Sequence, residues 1–257
     1  MSDPYICPCC GGASDFSSSK CPYCGSLLLP QGTGYGGFSG SLAQQTADME
    51  AKAVKTPNDG KLQYALGEAY HRAGEYAKAE QALEKAAVLS PKESKIPYLL
   101  AWNTGIKTGW ECAKVGKYAD RAIALDPEFK PAQAIKLLSS AAQMYIFGGR
   151  SDYDAVIEML NKARELDPEN TYIYMYASTV YEEAFQRKDA IAVLKKATEM
   201  ALNDIAPAKE DSRVFARLGY LYFRDGQMAE ANKYMDKALN LDPDNNTVRQ
   251  MKKSIGK

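Results

Sequence analysis

Five of the six cysteines in this 257-residue chain, Cys7, Cys9, Cys10, Cys21 and Cys24, fall within its first 24 positions, and the sixth is Cys112. They lie in one phrase written twice, Cys7-Pro8-Cys9-Cys10-Gly11 and Cys21-Pro22-Tyr23-Cys24-Gly25. Two thiolates separated by two residues converge on one ion when the chain turns between them. The glycine that follows can take the positive φ that swings backbone N–H groups toward sulfur. Two such turns make a tetrahedral site, so the spacing predicts one Zn²⁺ per chain, bound by Cys7, Cys10, Cys21 and Cys24. Clustered thiols in a reducing cytosol favour a metal over structural disulfides.

The elements that hold these ligands must be small. Between Cys10 and Cys21 runs GGASDFSSSK, polar apart from Phe16, which suits a short hairpin or loop with the ion as its core. Residues 5–29 resemble the zinc ribbon found at the N-terminus of many bacterial and archaeal proteins, and the four cysteines fall on its ligand positions. Cys9 departs from the pattern and is read as a bystander thiol, an alternate ligand or a redox-reactive neighbour. Four thiolates around a divalent ion are net negative. Asp3 and Asp15 outweigh Lys20, so the module lacks the basic residues that phosphate contact needs.

Lys plus Arg equals Asp plus Glu at 32 each, and the isoelectric point is about 6.6. The chain as a whole therefore has no pull toward nucleic acid or an anionic membrane surface. The N-terminus lacks a signal-peptide pattern and no run approaches the roughly 18 apolar residues of a span, so a soluble, cytoplasmic protein without a membrane span is expected. His71 is the only histidine, no phosphate-binding glycine loop follows a strand, and no strand pattern is evident. No enzyme is expected.

Residues 30–40 are Gly-rich and read as a flexible tether between the ribbon at 1–29 and a helical region at 41–257. Within that region LGEAYHRAGEYAKAEQALEKAAVLSP (66–91) aligns without a gap on LGYLYFRDGQMAEANKYMDKALNLDP (218–243). Each segment encodes two helices. Leu66, Gly67 and Tyr70 share a face of the first, Gly74 fits the turn, and Ala79, Leu83 and Ala86 line the inner face of the second.

These segments resemble tetratricopeptide repeats. The resemblance implies a mostly α fold, a right-handed solenoid of helix-turn-helix units, here near 60–93, 96–129, 137–170, 171–204 and 212–245. Trp102, Asn103 and Ile106 replace Leu, Gly and Tyr in the second unit, and Met144 replaces the glycine in the third. Unit starts at 96 and 137, and at 171 and 212, are separated by seven residues more than 34, about two helical turns, which keeps the inward face inward. Pro131 and Pro207 are placed to begin the lengthened helices. A helix from the Ser41/Gln44 capping box to about Thr56, and a short one over 246–253, are expected to close the two ends. Cys112 is expected as a small core residue of the second unit's second helix.

The resemblance implies a concave surface lined by first-helix residues. By unit these are Tyr64, Glu68, His71 and Arg72; Leu100, Thr104 and Lys107; Ala141 and Tyr145; Tyr172, Met175, Thr179 and Glu182; and Ala216, Tyr220, Phe223 and Arg224. Aromatic, Met and mixed charged groups suit an extended or helical peptide with apolar anchors. The family's carboxylate-clamping pattern of paired Lys and Asn is not present, since Tyr64 and Glu68 hold the matching positions. The expected function is a non-enzymatic adaptor that binds a protein or peptide, with a structural or docking zinc ribbon. The alternatives are a groove filled by the protein's own linker or a second copy, a nucleic-acid-binding regulator using the ribbon, and a redox or metal sensor using Cys9.

Overall fold

The computed structural model describes residues 5–6, 13–14, 42–148, 152–200 and 208–255. Twelve helices follow one another among these residues: α1 Leu42–Lys55, α2 Gly60–Arg72, α3 Tyr76–Leu89, α4 Lys95–Thr108, α5 Ala113–Leu125, α6 Lys130–Phe147, α7 Tyr153–Leu166, α8 Thr171–Glu183, α9 Arg187–Met200, α10 Ala208–Arg224, α11 Met228–Leu241 and α12 Asn246–Ile255. Ahead of them β1 (Tyr5–Ile6) pairs antiparallel with β2 (Ala13–Ser14), Tyr5 opposite Ser14 and Ile6 opposite Ala13. The sequence allows a short hairpin or loop after Cys10 yet shows no strand pattern, since two residues per strand are too few for alternation to appear. The five N-terminal cysteines, the segment 30–40, Ser41 and Pro207 lie outside the described residues.

From α2 to α11 the helices pack as five consecutive antiparallel hairpins, in the register that the repeat spacing predicts. Close approach within a hairpin depends on small residues. A Cβ on Gly67 would stand 2.6 Å from Leu83 Cγ, and one on Gly219 would stand 2.8 Å from Met235 Cγ. Ala79, Ala86, Ala119, Ala122, Ala163, Ala231 and Ala238 are wholly buried on the inner faces of the second helices. One apolar core runs from Leu83 to Val248, and a smaller one joins Leu66, Tyr70, Ala79 and Ala82 to Met49 and Ala53 of α1. The first helix therefore covers one end of the stack, and α12 covers the other by burying Val248.

Local signals fix the boundaries. The Asp59 carboxylate accepts a hydrogen bond from the Leu62 N–H at 3.0 Å and starts α2. Gly74 (φ +75°) and Gly226 (φ +79°) end the first helices of the outer hairpins, where Glu75 N–H donates to Tyr70 O and Gln227 N–H donates to Tyr222 O. Pro131 lies in the first turn of α6, which has 18 residues against 13 in α2. The extra residues precede position 137, as the seven-residue insertion predicts. In α10 the described stretch before 212 begins at Ala208.

Candidate peptide-binding groove

The first helices α2, α4, α6, α8 and α10 bring the predicted lining residues into one succession, but the structure keeps only its two ends open. At the α2–α4 end Glu68 and Lys107 are exposed and Arg72 is half-buried. Lys107 Nζ donates to Glu80 Oε2 at 2.5 Å. Tyr64 is half-buried against the core, and burial, then Glu68 and Glu93, push its phenol well above its ordinary range.

The middle is filled by the protein itself. Tyr172, expected on the surface, is 6% exposed, which corrects its assignment. Its ring lies 6.0 Å from that of Trp102 and 5.4 Å from that of Trp110. Tyr98 extends the cluster, 5.9 Å from Trp102 and 5.0 Å from Phe129. Leu100, Thr104 and Ala141, also expected to line the groove, are buried. The intervening helix α6 presents small buried residues, Ala134, Ser139, Ala141 and Ala142, so side chains of α4 and α8 can meet across it. Gly105 makes room for this arrangement, since a Cβ there would fall 2.4 Å from the Trp110 ring. Tyr145 is half-buried, its ring 5.8 Å from that of Tyr176 and 6.2 Å from that of Tyr153.

His71, expected to be exposed or groove-lining, is also a core residue at 1% exposure. Its Nδ1 lies 3.2 Å from Asn103 Oδ1, and Asn103 Nδ2 donates to Tyr76 O at 2.9 Å. Asn103 occupies the position of Gly67 in the preceding unit and is wholly buried. The sequence shows the substitution, but nothing in one chain's pattern pairs it with His71. Cys112 is likewise corrected: it precedes α5 and is half-buried rather than sitting inside the helix.

At the α8–α10 end a charged and aromatic corner stays accessible. Arg217 Nη2 donates to Glu182 Oε2 at 2.7 Å, and Arg224 Nη1 lies 3.7 Å from Glu182 Oε1. Arg224 Nη1 also donates to the Tyr220 hydroxyl at 2.6 Å. Both guanidinium groups lie against the Tyr220 ring, 5.4 and 5.7 Å from its centroid. Arg224 is half-exposed, and Met175 and Thr179 of α8 and Tyr220 and Phe223 of α10 are each partly buried. Two cations and one carboxylate leave capacity for a further anionic group, and the flanking side chains offer apolar surface.

A model of the tetratricopeptide repeat matches residues 60–93 and 212–245, the α2–α3 and α10–α11 hairpins. Both segments are similar to that repeat. The three hairpins between them continue the helical stack with Asn103, Met144 and Ser178 at the position of Gly67 and Gly219. Heat shock protein STI1 of Saccharomyces cerevisiae is 34% identical over 87 residues, which is 34% of this chain and 15% of that protein. Small glutamine-rich tetratricopeptide repeat-containing protein 2 of Mycosarcoma maydis is 27% identical over 117 residues, 44% of this chain and 31% of its own. The chain thus spans less than a third of either relative. Among solved structures, a thermophilic TPR protein of Thermus thermophilus superposes with a TM-score of 0.58 at 20% identity, covering 76% of this chain and 98% of the other. A tetratricopeptide repeat protein of Parabacteroides merdae gives 0.62 at 12% identity, covering 84% and 78%. These likenesses show the fold. No helix among the described residues is long and apolar enough to cross a membrane.

Proposed function

We propose that this chain is a non-enzymatic adaptor whose repeat groove holds a segment of another protein, gripped at the α8–α10 corner. The observation that carries this reading is the Glu182, Arg217, Tyr220 and Arg224 cluster. It is the stretch of groove where charged and aromatic groups are both ordered by one another and still reachable. A segment pairing an acidic group for Arg224 with an apolar anchor for Met175 and Phe223 fits its chemistry. The tetratricopeptide architecture supports protein–protein interaction. Residues 1–29 form a zinc ribbon in this reading, with Cys7, Cys10, Cys21 and Cys24 as ligands, tethered to the repeats as a structural or docking module.

The test is selection of displayed 12-residue peptides on the full chain, followed by calorimetry of the selected peptides on variants. Tyr220→Ala and Arg224→Ala should each weaken binding by about 1–3 kcal/mol, while Lys85→Ala on α3 should not. Selected peptides that bind both groove variants as tightly as the parent would refute the groove assignment.

A further inference from the structure

Glu182 holds two arginines unequally. Its Oε2 accepts from Arg217 Nη2 at 2.7 Å, whereas its Oε1 is buried and accepts no hydrogen bond among the described residues. Arg224 Nη1 stands 3.7 Å from that Oε1, inside ion-pair range and outside hydrogen-bond range. The Glu182 side chain is 12% exposed, that of Arg217 24% and that of Arg224 48%. Arg217 is therefore committed to Glu182, and Arg224 is the guanidinium that an incoming anion can reach. Arg224 uses Nη1 on the Tyr220 hydroxyl, and a guanidinium has further donors for a ligand.

An anion bound to Arg224 also stands near the Glu182 carboxylate, and the burial of Oε1 keeps water from screening that charge. Two guanidinium groups and one carboxylate sum to a single positive charge. The other charged groups nearby do not raise it. Glu183, next on α8, is exposed and acts on Arg224 more weakly than Glu182 does. Arg213, one turn before Arg217, is exposed and already has a partner. Asp225, after Arg224, is exposed and accepts from Gln227 Nε2 at 2.7 Å. A carboxylate neutralises this corner. A phosphoryl group carries about two negative charges, so it leaves the corner negative, and its desolvation costs more.

Resting on the groove assignment above, we propose that Glu182 is a specificity-determining residue. Its fixed carboxylate is a counter-charge that admits a segment bearing a carboxylate at Arg224 and turns away a phosphorylated one. Glu182→Gln removes the charge and leaves an amide oxygen to accept from Arg217. The two guanidinium groups then match a dianion.

The test titrates acetate and inorganic phosphate, the latter at mildly alkaline pH where it is a dianion, into the full chain and follows the Arg224 side-chain N–H groups by NMR. The parent should bind acetate at least as tightly as phosphate. Glu182→Gln should raise the phosphate-to-acetate affinity ratio by about tenfold or more. Glu182→Asp keeps the charge and should keep the parent's ratio, and Glu183→Gln should move it by less than about threefold because that carboxylate is screened. A ratio unchanged by Glu182→Gln overturns the proposal, as does a parent that prefers phosphate or an Arg224 that responds to neither anion. These ions require no peptide, so their outcome is distinct from that of the adaptor reading. In a selected peptide, phosphoserine in place of the acidic residue should weaken binding to the parent and strengthen it to Glu182→Gln; the opposite order overturns the proposal. Amidation of the peptide C-terminus separates a terminal carboxylate from a side-chain one, and either is the single charge that Glu182 admits.

Discussion

Tyr172 of α8 stands edge-on to Trp102 of α4, ring centroids 6.0 Å apart, although the whole α6–α7 hairpin separates the two helices in sequence. The contact closes the middle of the groove and makes Tyr172 part of the core. Tyr172→Ala should therefore cost about 3 kcal/mol of stability, as removal of a buried aromatic does. Tyr220→Ala should cost less than half of that, because its ring is only half-buried and rests on guanidinium groups. Urea unfolding of both variants checks the order, and equal losses would contradict the division into closed middle and open end.

Gly67 and Gly74 are both glycines of the first repeat but for different reasons. Gly67→Ala should destabilise by about 1–3 kcal/mol, because its Cβ would meet Leu83 Cδ2 at 2.7 Å. Gly74→Ala meets open space and should lose only about 1 kcal/mol through its positive φ. In a double-mutant cycle, Leu83→Ala should cost less in the Gly67→Ala background than in the parent, and the same in the Gly74→Ala background as in the parent.

The buried pair His71 and Asn103 should act as one unit. Replacing Asn103 by Ala removes the partner of His71 Nδ1 and the donor to Tyr76 O together. A double-mutant cycle over Asn103→Ala and His71→Ala should give a coupling energy of about 1 kcal/mol or more. Additive losses would show that the two side chains are neighbours without interaction.

Burial holds the phenols of Tyr64, Tyr98 and Tyr176 above the ordinary value of 10.0. Glu68 and Glu93 add to the shift at Tyr64, Asp167 and then Tyr64 at Tyr98, and Glu111 and then Tyr145 at Tyr176. The folded chain thus binds these protons more tightly than the unfolded chain. Their contribution is fully present below the unfolded value and is lost as pH rises through it toward the folded ones. Alkaline titration followed at 295 nm should show exposed tyrosines ionising first and these three only with loss of helical circular dichroism. Ionisation of all tyrosines in one step near the ordinary value, with the helices intact, would contradict their burial.

Native mass spectrometry should find one zinc per chain. Cys7→Ser combined with Cys10→Ser should abolish it, and Cys9→Ser should leave it in place. Retention of zinc by the double variant would overturn the four-ligand set.

The sequence by itself determined the repeat register. Leu-Gly-x-x-Tyr, the turn glycine, the small residues of the second helix and the closing proline are short-range signals, complete in the first and fifth units and kept in part between them. They set where α2 to α11 begin and end, and the insertion before position 137 lengthened α6 without turning its inward face. The tertiary structure alone decided which first-helix positions stay open. Tyr172 and Tyr220 are both tyrosines on first helices, in the fourth and fifth units. Yet Tyr172 is covered by Trp102 and Trp110 from two hairpins earlier, whereas Tyr220 is held at the edge by Arg217 and Arg224. Periodicity reports the face of a helix, which is a property of neighbours three and four residues apart. Burial across a solenoid depends on side-chain volumes far apart in sequence, such as the alanines of α6 and the indole of Trp102, and no local pattern carries their sum.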